Sequence, residues 1–127
     1  IIELNVGTAL KLSRAVIPQM IDRRRGTIIN ISSLSGRFTS SGSALYATTK
    51  HALNGLSGGM YEDIREFNIK VSAIMPGFVD TDLTSDLGKD KKKMLTPNDV
   101  AEAVEFVMRS SQNCCPTEIV LRPQQAP

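Results

Sequence analysis

The chain has 127 residues, with 15 Lys and Arg against 13 Asp and Glu and 41% hydrophobic residues, a composition that fits one ordinary globular domain and excludes an intrinsically disordered tail. The net charge of +2 is too small to require a polyanionic partner, and no apolar run approaches the roughly 18 residues that a membrane span needs. Cys114 and Cys115 are adjacent and cannot staple distant segments, and no Cys/His spacing matches a metal site; the expectation is a cytoplasmic, metal-free protein with neither nucleic acid nor membrane as partner.

The sequence opens on Ile1 instead of Met and runs straight into a helical pattern. Nothing there has the charged, apolar and small-residue succession of a targeting segment, and a fragment of a longer protein is expected. Over residues 4–25, Val6, Leu10, Ala15, Val16, Ile17, Met20 and Ile21 recur at helical spacing, which predicts an amphipathic helix with Lys11, Arg14 and Arg23 outward. Pro18 predicts a kink, and Arg23, Arg24 and Arg25 before Gly26 predict the end of that helix. The β-branched run Thr27-Ile28-Ile29-Asn30-Ile31 reads as a strand leading into a Ser/Gly-rich loop over residues 32–43.

A second helix is predicted over residues 44–66, stopping near Asn68, which tolerates the left-handed conformation. Val71-Ser72-Ala73-Ile74-Met75 reads as a buried strand that Pro76-Gly77 stops. A short helix over residues 81–87 and a solvated charged loop over residues 89–93 come next. Thr96-Pro97-Asn98-Asp99 is a helix start, with Thr96 as cap, ahead of Val100, Ala103, Val104 and Val107. The last element expected is a strand over residues 118–121, with residues 122–127 as a flexible tail. Alternating helices and strands predict an α/β fold with a parallel sheet, right-handed crossovers and strands buried on both faces. Ligands of such sheets sit beyond the carboxyl ends of the strands, here the loops that begin at Ser32 and at Pro76.

Tyr46 and Lys50 stand four apart at the start of the second helix, on one face and one turn from each other. A general acid or base works best with a pKa near the operating pH, and free Tyr lies near 10. An ammonium about 5 Å away favours the phenolate by roughly 3 kcal/mol at an effective dielectric near 20, about two pKa units. Ser33, thirteen residues before Tyr46 and directly after the first strand, could donate a hydrogen bond to a substrate oxygen as charge develops, typically worth about 3 kcal/mol. Each has a bland alternative: a surface Tyr packed on a Lys stem, and a Ser bonding its own loop. His51 points to another side of the helix and has no catalytic role in this reading.

Together with Asn5 in the first helix and Pro76-Gly77-Phe78-Val79-Asp80-Thr81 after the second strand, these residues resemble the short-chain dehydrogenase/reductase family. Its signature is an active-site Asn, a Ser after a strand, a Tyr-x-x-x-Lys thirteen residues on, and a Pro-Gly-x-Val-x-Thr loop; the match runs from Asn5 to about Val107. The resemblance implies an oxidoreductase that interconverts a carbonyl and an alcohol by hydride transfer. Tyr46 would be the proton donor and acceptor, and Lys50 would also hold the nicotinamide ribose. Ser33 would orient the carbonyl, and Asn5 would hold a water linking Lys50 to solvent. Pro76, Gly77, Val79 and Thr81 would line the nicotinamide. Asn5 and Thr81 could alternatively serve only as helix caps.

The resemblance also implies an absence. None of the nine glycines forms the Thr-Gly-x-x-x-Gly-x-Gly turn of the family's cofactor site, so residues 1–127 read as the C-terminal half of a Rossmann-like doubly wound sheet, with the dinucleotide-binding half missing and activity in doubt for the isolated chain. The ending Pro116-Thr117-Glu118-Ile119-Val120-Leu121-Arg122-Pro123 resembles the branch of small NADP-dependent alcohol and hydroxy-acid dehydrogenases, and NADP is expected over NAD. The family's helices build four-helix interfaces, which implies a homodimer or homotetramer through helices 4–25 and 44–66, where Gly55, Gly58 and Gly59 would permit close approach. Two other functions compete: a non-catalytic family member acting as a binding or structural subunit, and a nucleic-acid module using residues 23–25 and 89–93. Near-neutral charge and the missing aromatic platform disfavour the second.

Overall fold

A computed structural model describes all residues, 1–127. Three strands, β1 (Gly26–Ile31), β2 (Ile69–Pro76) and β3 (Glu118–Leu121), form one parallel sheet in the order β1-β2-β3. Gly26 pairs with Ile69 and Ile31 with Ile74, while Ala73 pairs with Glu118 and Pro76 with Leu121. Strand β2 is central, so burial from both faces suits its apolar run, and Val71, Ala73, Ile74 and Met75 are almost completely inaccessible. Burial on both faces, expected of every strand, fails for β1 and β3. Each lies at a sheet edge and pairs on one side only; Ile31 keeps 44% of its surface exposed.

The three longer helices are α1 (Thr8–Arg23), α2 (Ala44–Ile64) and α3 (Pro97–Arg109). The first begins later than the periodicity predicts, because Glu3–Gly7 form a π-helical turn ahead of it. It ends on Arg24, whose φ of 55° and N–H to the Ile21 carbonyl close the last turn. Gly26 then lets β1 pass under α1, since a Cβ there would stand 2.5 Å from Met20 Sδ. Helix α2 runs to Ile64, two residues short of the expectation, and a 3-10 turn Arg65–Phe67 leads to Asn68 at φ 63°, as its tolerance of that conformation suggests. Met60 and Ile64 from α2 pack with Ile69 and Val71 of β2, and Ile17, Met20 and Ile21 of α1 cover them. Helix α3 packs on β2 and buries Ala103 and Val107.

The helix predicted over residues 81–87 is a single 3-10 turn, Asp82–Thr84. The charged run is not a plain loop: Lys91–Lys93 form a 3-10 turn because Asp90 Oδ1 accepts the Lys92 N–H at 3.0 Å. Thr96 caps α3 as its sequence predicts, with Asp99 N–H to Thr96 Oγ1 at 3.2 Å and Thr96 N–H to Asp99 Oδ2 at 2.7 Å. Residues 122–127 have no helix or strand, and the Pro127 carbonyl accepts the Asp90 N–H at 3.0 Å. No helix is long and apolar enough to cross a membrane.

Candidate active site

Strands β1 and β2 are parallel neighbours, so the loops leaving their carboxyl ends emerge side by side. At the end of β1 the Ser32 N–H continues the ladder to the Ile74 carbonyl at 2.7 Å, and its Oγ donates to the Lys50 carbonyl at 3.3 Å. Ser33 follows in extended conformation and caps the 3-10 turn Leu34–Gly36, its Oγ accepting the Ser35 N–H at 3.1 Å. The bland alternative for Ser33 is therefore realised in part. Its oxygen serves the loop, while its hydroxyl hydrogen has no acceptor in the structure and remains available to a ligand.

Helix α2 carries Tyr46 and Lys50 in its first turns, both half-buried. Lys50 Nζ lies 5.6 Å from the centroid of the Tyr46 ring, close to the separation expected from their helical spacing. Neither the Tyr46 hydroxyl nor the Lys50 ammonium has a hydrogen-bond or ion-pair partner. Burial pushes the Lys50 pKa below its ordinary value of 10.5, because a desolvated ammonium without a counter-charge is disfavoured.

Asn5 sits in the π-helical turn, an irregularity that often marks functional positions in helices. Its Nδ2 donates to Thr49 Oγ1 at 3.1 Å, and that hydroxyl in turn donates to the Tyr46 carbonyl at 2.8 Å. Thr49 is 1% exposed. The sequence reading did not single it out, although a small polar residue flanked by Tyr46 and Lys50 on a buried helix face was the signal for it. Asn5, Tyr46 and Lys50 are thus brought to one turn of α2, and Ser33 is held against that turn through its neighbour Ser32.

The Pro76–Thr81 loop is fixed from below. Gly77 N–H donates to the Leu121 carbonyl at 2.8 Å, Leu95 N–H to the Phe78 carbonyl at 2.9 Å, and Asp80 N–H to the Leu95 carbonyl at 2.8 Å. This bridge uses the groups on either side of Val79. The Val79 carbonyl accepts the Thr84 hydroxyl at 2.6 Å, and its N–H has no partner. Thr81 opens the 3-10 turn and gives its N–H to Thr84 Oγ1 at 3.1 Å. A Cβ on Gly77 would stand 3.9 Å from Leu34 Cδ2, so the two loops touch. His51 is exposed, and its Nδ1 meets the Ala47 carbonyl at 2.8 Å.

Known proteins share the family pattern and the fold of this chain. A family model described as short chain dehydrogenase matches residues 1–92. An uncharacterized oxidoreductase of Staphylococcus aureus (strain MRSA252) is 33% identical over 122 residues, covering 96% of this chain and 53% of that protein. A similar protein of Staphylococcus saprophyticus is 33% identical with 96% and 52% covered; the chain spans about half the length of the curated relatives it matches. Among solved structures, serine dehydrogenase from Escherichia coli superposes with a TM-score of 0.81 at 29% identity, over 92% of this chain and 49% of that one. 4-Hydroxyisoleucine dehydrogenase complexed with NADH gives a TM-score of 0.84 at 27% identity, over 97% and 56%. The family model alone takes in 92 of the 127 residues, and the chain belongs to the short-chain dehydrogenase/reductase family.

Proposed function

We propose that the protein is an NAD(P)-dependent oxidoreductase that interconverts a small alcohol and its carbonyl compound, with Tyr46 as general acid and base. The observation that carries this reading is the placement of Lys50 Nζ 5.6 Å from the Tyr46 ring, on a helix turn to which Asn5 is bonded through Thr49 and the Ser33 loop through Ser32. The residues fit a nicotinamide nucleotide. Lys50 is a half-buried donor with no acceptor, suited to ribose hydroxyls, and the Val79 N–H is a spare donor suited to a carboxamide. When bound, such a cofactor supplies or takes up the hydride.

Around it, the Ser33 hydroxyl hydrogen, which has no acceptor within the chain while its oxygen accepts the Ser35 N–H, donates to the substrate oxygen. Tyr46 gives that oxygen a proton in reduction and removes it in oxidation. Lys50 stabilises the phenolate left behind, and Asn5 orders the solvent that returns the proton. Pro76, Gly77 and Thr81 complete the wall beside Val79. The absent glycine-rich turn belongs, in this reading, to sequence outside residues 1–127, and the chain acts as the C-terminal half of the catalytic domain.

For the substrate we favour a small hydroxy acid or alcohol, and for the cofactor NADP. The C-terminal pattern supports both, and the structural neighbours act on serine and 4-hydroxyisoleucine, one solved with NADP+ and another with NADH. Self-association as a dimer or tetramer is supported by exposed Leu10, Leu12 and Leu45 and by the open space around Gly55, Gly58 and Gly59. The test is NADPH and NADH oxidation with a panel of ketones and oxo acids, using the chain with whatever sequence precedes it in its gene. Tyr46→Phe should lose at least about 10²-fold in kcat; equal turnover by that variant removes Tyr46 as the acid.

A further inference from the structure

Three elements meet at Asn54, one helical turn beyond Lys50. From the helix side, its Nδ2 lies 3.0 Å from Sδ of Met75, a completely buried residue near the end of β2. From the loop side, Gly36 approaches so closely that a Cβ there would stand 2.3 Å from Asn54 Nδ2 and 3.0 Å from the Lys50 carbonyl oxygen. Gly36 is buried and ends the 3-10 turn that Ser33 caps. The Asn54 Oδ1 is buried and has no partner. An unsatisfied buried acceptor lowers stability, so folding alone gives no reason for an amide here.

We infer that Asn54 is a positioning residue: wedged between Gly36 and Met75, its side chain holds the Ser33 turn in register with Tyr46 and Lys50. The turn is gripped at both ends. Ser32, just before Ser33, bonds the Lys50 carbonyl; Gly36, three residues after it, rests on the Asn54 amide. Only a residue without a side chain at position 36 permits that contact, and the backbone oxygen on its other side cannot retreat as a flexible side chain could. A displacement of about 1 Å between catalytic groups can cost about 10²-fold in rate, so a wedge that fixes Ser33 acts on turnover without touching substrate.

The inference rests on the proposed role of Ser33, and a double-mutant cycle separates the two. Asn54→Ala and Gly36→Ala should each lower kcat at least tenfold while cofactor affinity, measured by fluorescence titration with NADPH, stays within twofold. In a Ser33→Ala background the same changes should lower kcat less than twofold, because the group being positioned is gone. Two variants approach the contact from opposite sides, so failure of one to fold leaves the other to decide. Losses that multiply in the Ser33→Ala background, or a kcat within twofold of the parent for the folded variants, overturn the inference. If Ser33→Ala itself turns over like the parent, the role proposed for Ser33 falls first, and the inference with it.

Discussion

The amide of Asn5 and the hydroxyl of Thr49, 44 residues apart in the chain, share a hydrogen bond of 3.1 Å that ties a π-helical turn to the helix bearing Tyr46 and Lys50. Thr49 passes the link on to the Tyr46 carbonyl at 2.8 Å. The hydroxyl therefore acts as donor and acceptor at once in a residue that is 1% exposed, and its only hydrogen is committed to the Tyr46 carbonyl.

Thr49→Val keeps the shape but leaves the Asn5 amide without its acceptor. A loss of about 1–3 kcal/mol in unfolding free energy is expected, the range for stranding a buried polar group. Urea titration of both proteins measures it, and a difference under about 0.5 kcal/mol would show that Asn5 finds another partner.

Lys50 should reveal itself in the pH dependence of stability. Its folded-state pKa lies below the unfolded value of 10.5 because burial disfavours the ammonium. The fold prefers the neutral amine, so the contribution of Lys50 to stability is fully present above 10.5 and is lost as pH falls through the folded value. At pH 7 the charge opposes folding, and Lys50→Met should be at least as stable as the parent there, with the advantage shrinking as pH rises toward 10.5. Activity should move the other way, down by about 10²-fold or more. Denaturant titrations from pH 7 to pH 11 check the first part; a parent more stable than the variant at pH 7 would contradict it.

Gly58 has no atom within 4 Å of the position a Cβ would take, so Gly58→Leu costs the isolated chain nothing in packing. Replacing a mid-helix glycine should add about 0.5–1 kcal/mol to its stability. If α2 forms the proposed interface between copies, the added side chain holds the helices apart. Sedimentation velocity should then show a lower mass for the variant, and an unchanged profile argues against α2 as the interface.

Thr96→Ala should destabilise by about 1 kcal/mol through loss of the reciprocal cap with Asp99. Thr96→Ser retains the hydroxyl and should recover most of that stability in thermal melts. Because the cap lies next to Leu95, which pins the Pro76–Thr81 loop, the alanine variant should also raise KM for the cofactor modestly, by about twofold to fivefold.

The elements that the sequence announced most plainly are those whose stabilising groups are neighbours in the chain. The Thr96-Pro97-Asn98-Asp99 cap, the left-handed stop at Asn68 and the buried run of β2 all appear where residue types place them. The misjudged segments depended on partners elsewhere. Residues 89–93 are solvated, as their charge predicts, yet they are not a plain loop: Asp90 closes a turn over them, and its N–H meets the carbonyl of Pro127, far along the chain. Residues 4–7 carry a helical pattern, but the widened π turn that seats Asn5 against Thr49 reflects an anchor on α2.

Spacing alone put Tyr46 and Lys50 on one face of a helix, because the rise and rotation of an α-helix are local constants. The parallel α/β order and the loops worth searching were equally accessible, since strand and helix periods are written residue by residue. What folding alone decided is the meeting of distant side chains: Asn5 with Thr49, Ser32 with the Lys50 carbonyl, and Gly36 with Asn54. Those pairings arise from how α2 packs on β2 and against the turns Glu3–Gly7 and Leu34–Gly36, and a contact between segments remote in the chain leaves no periodic trace in either of them.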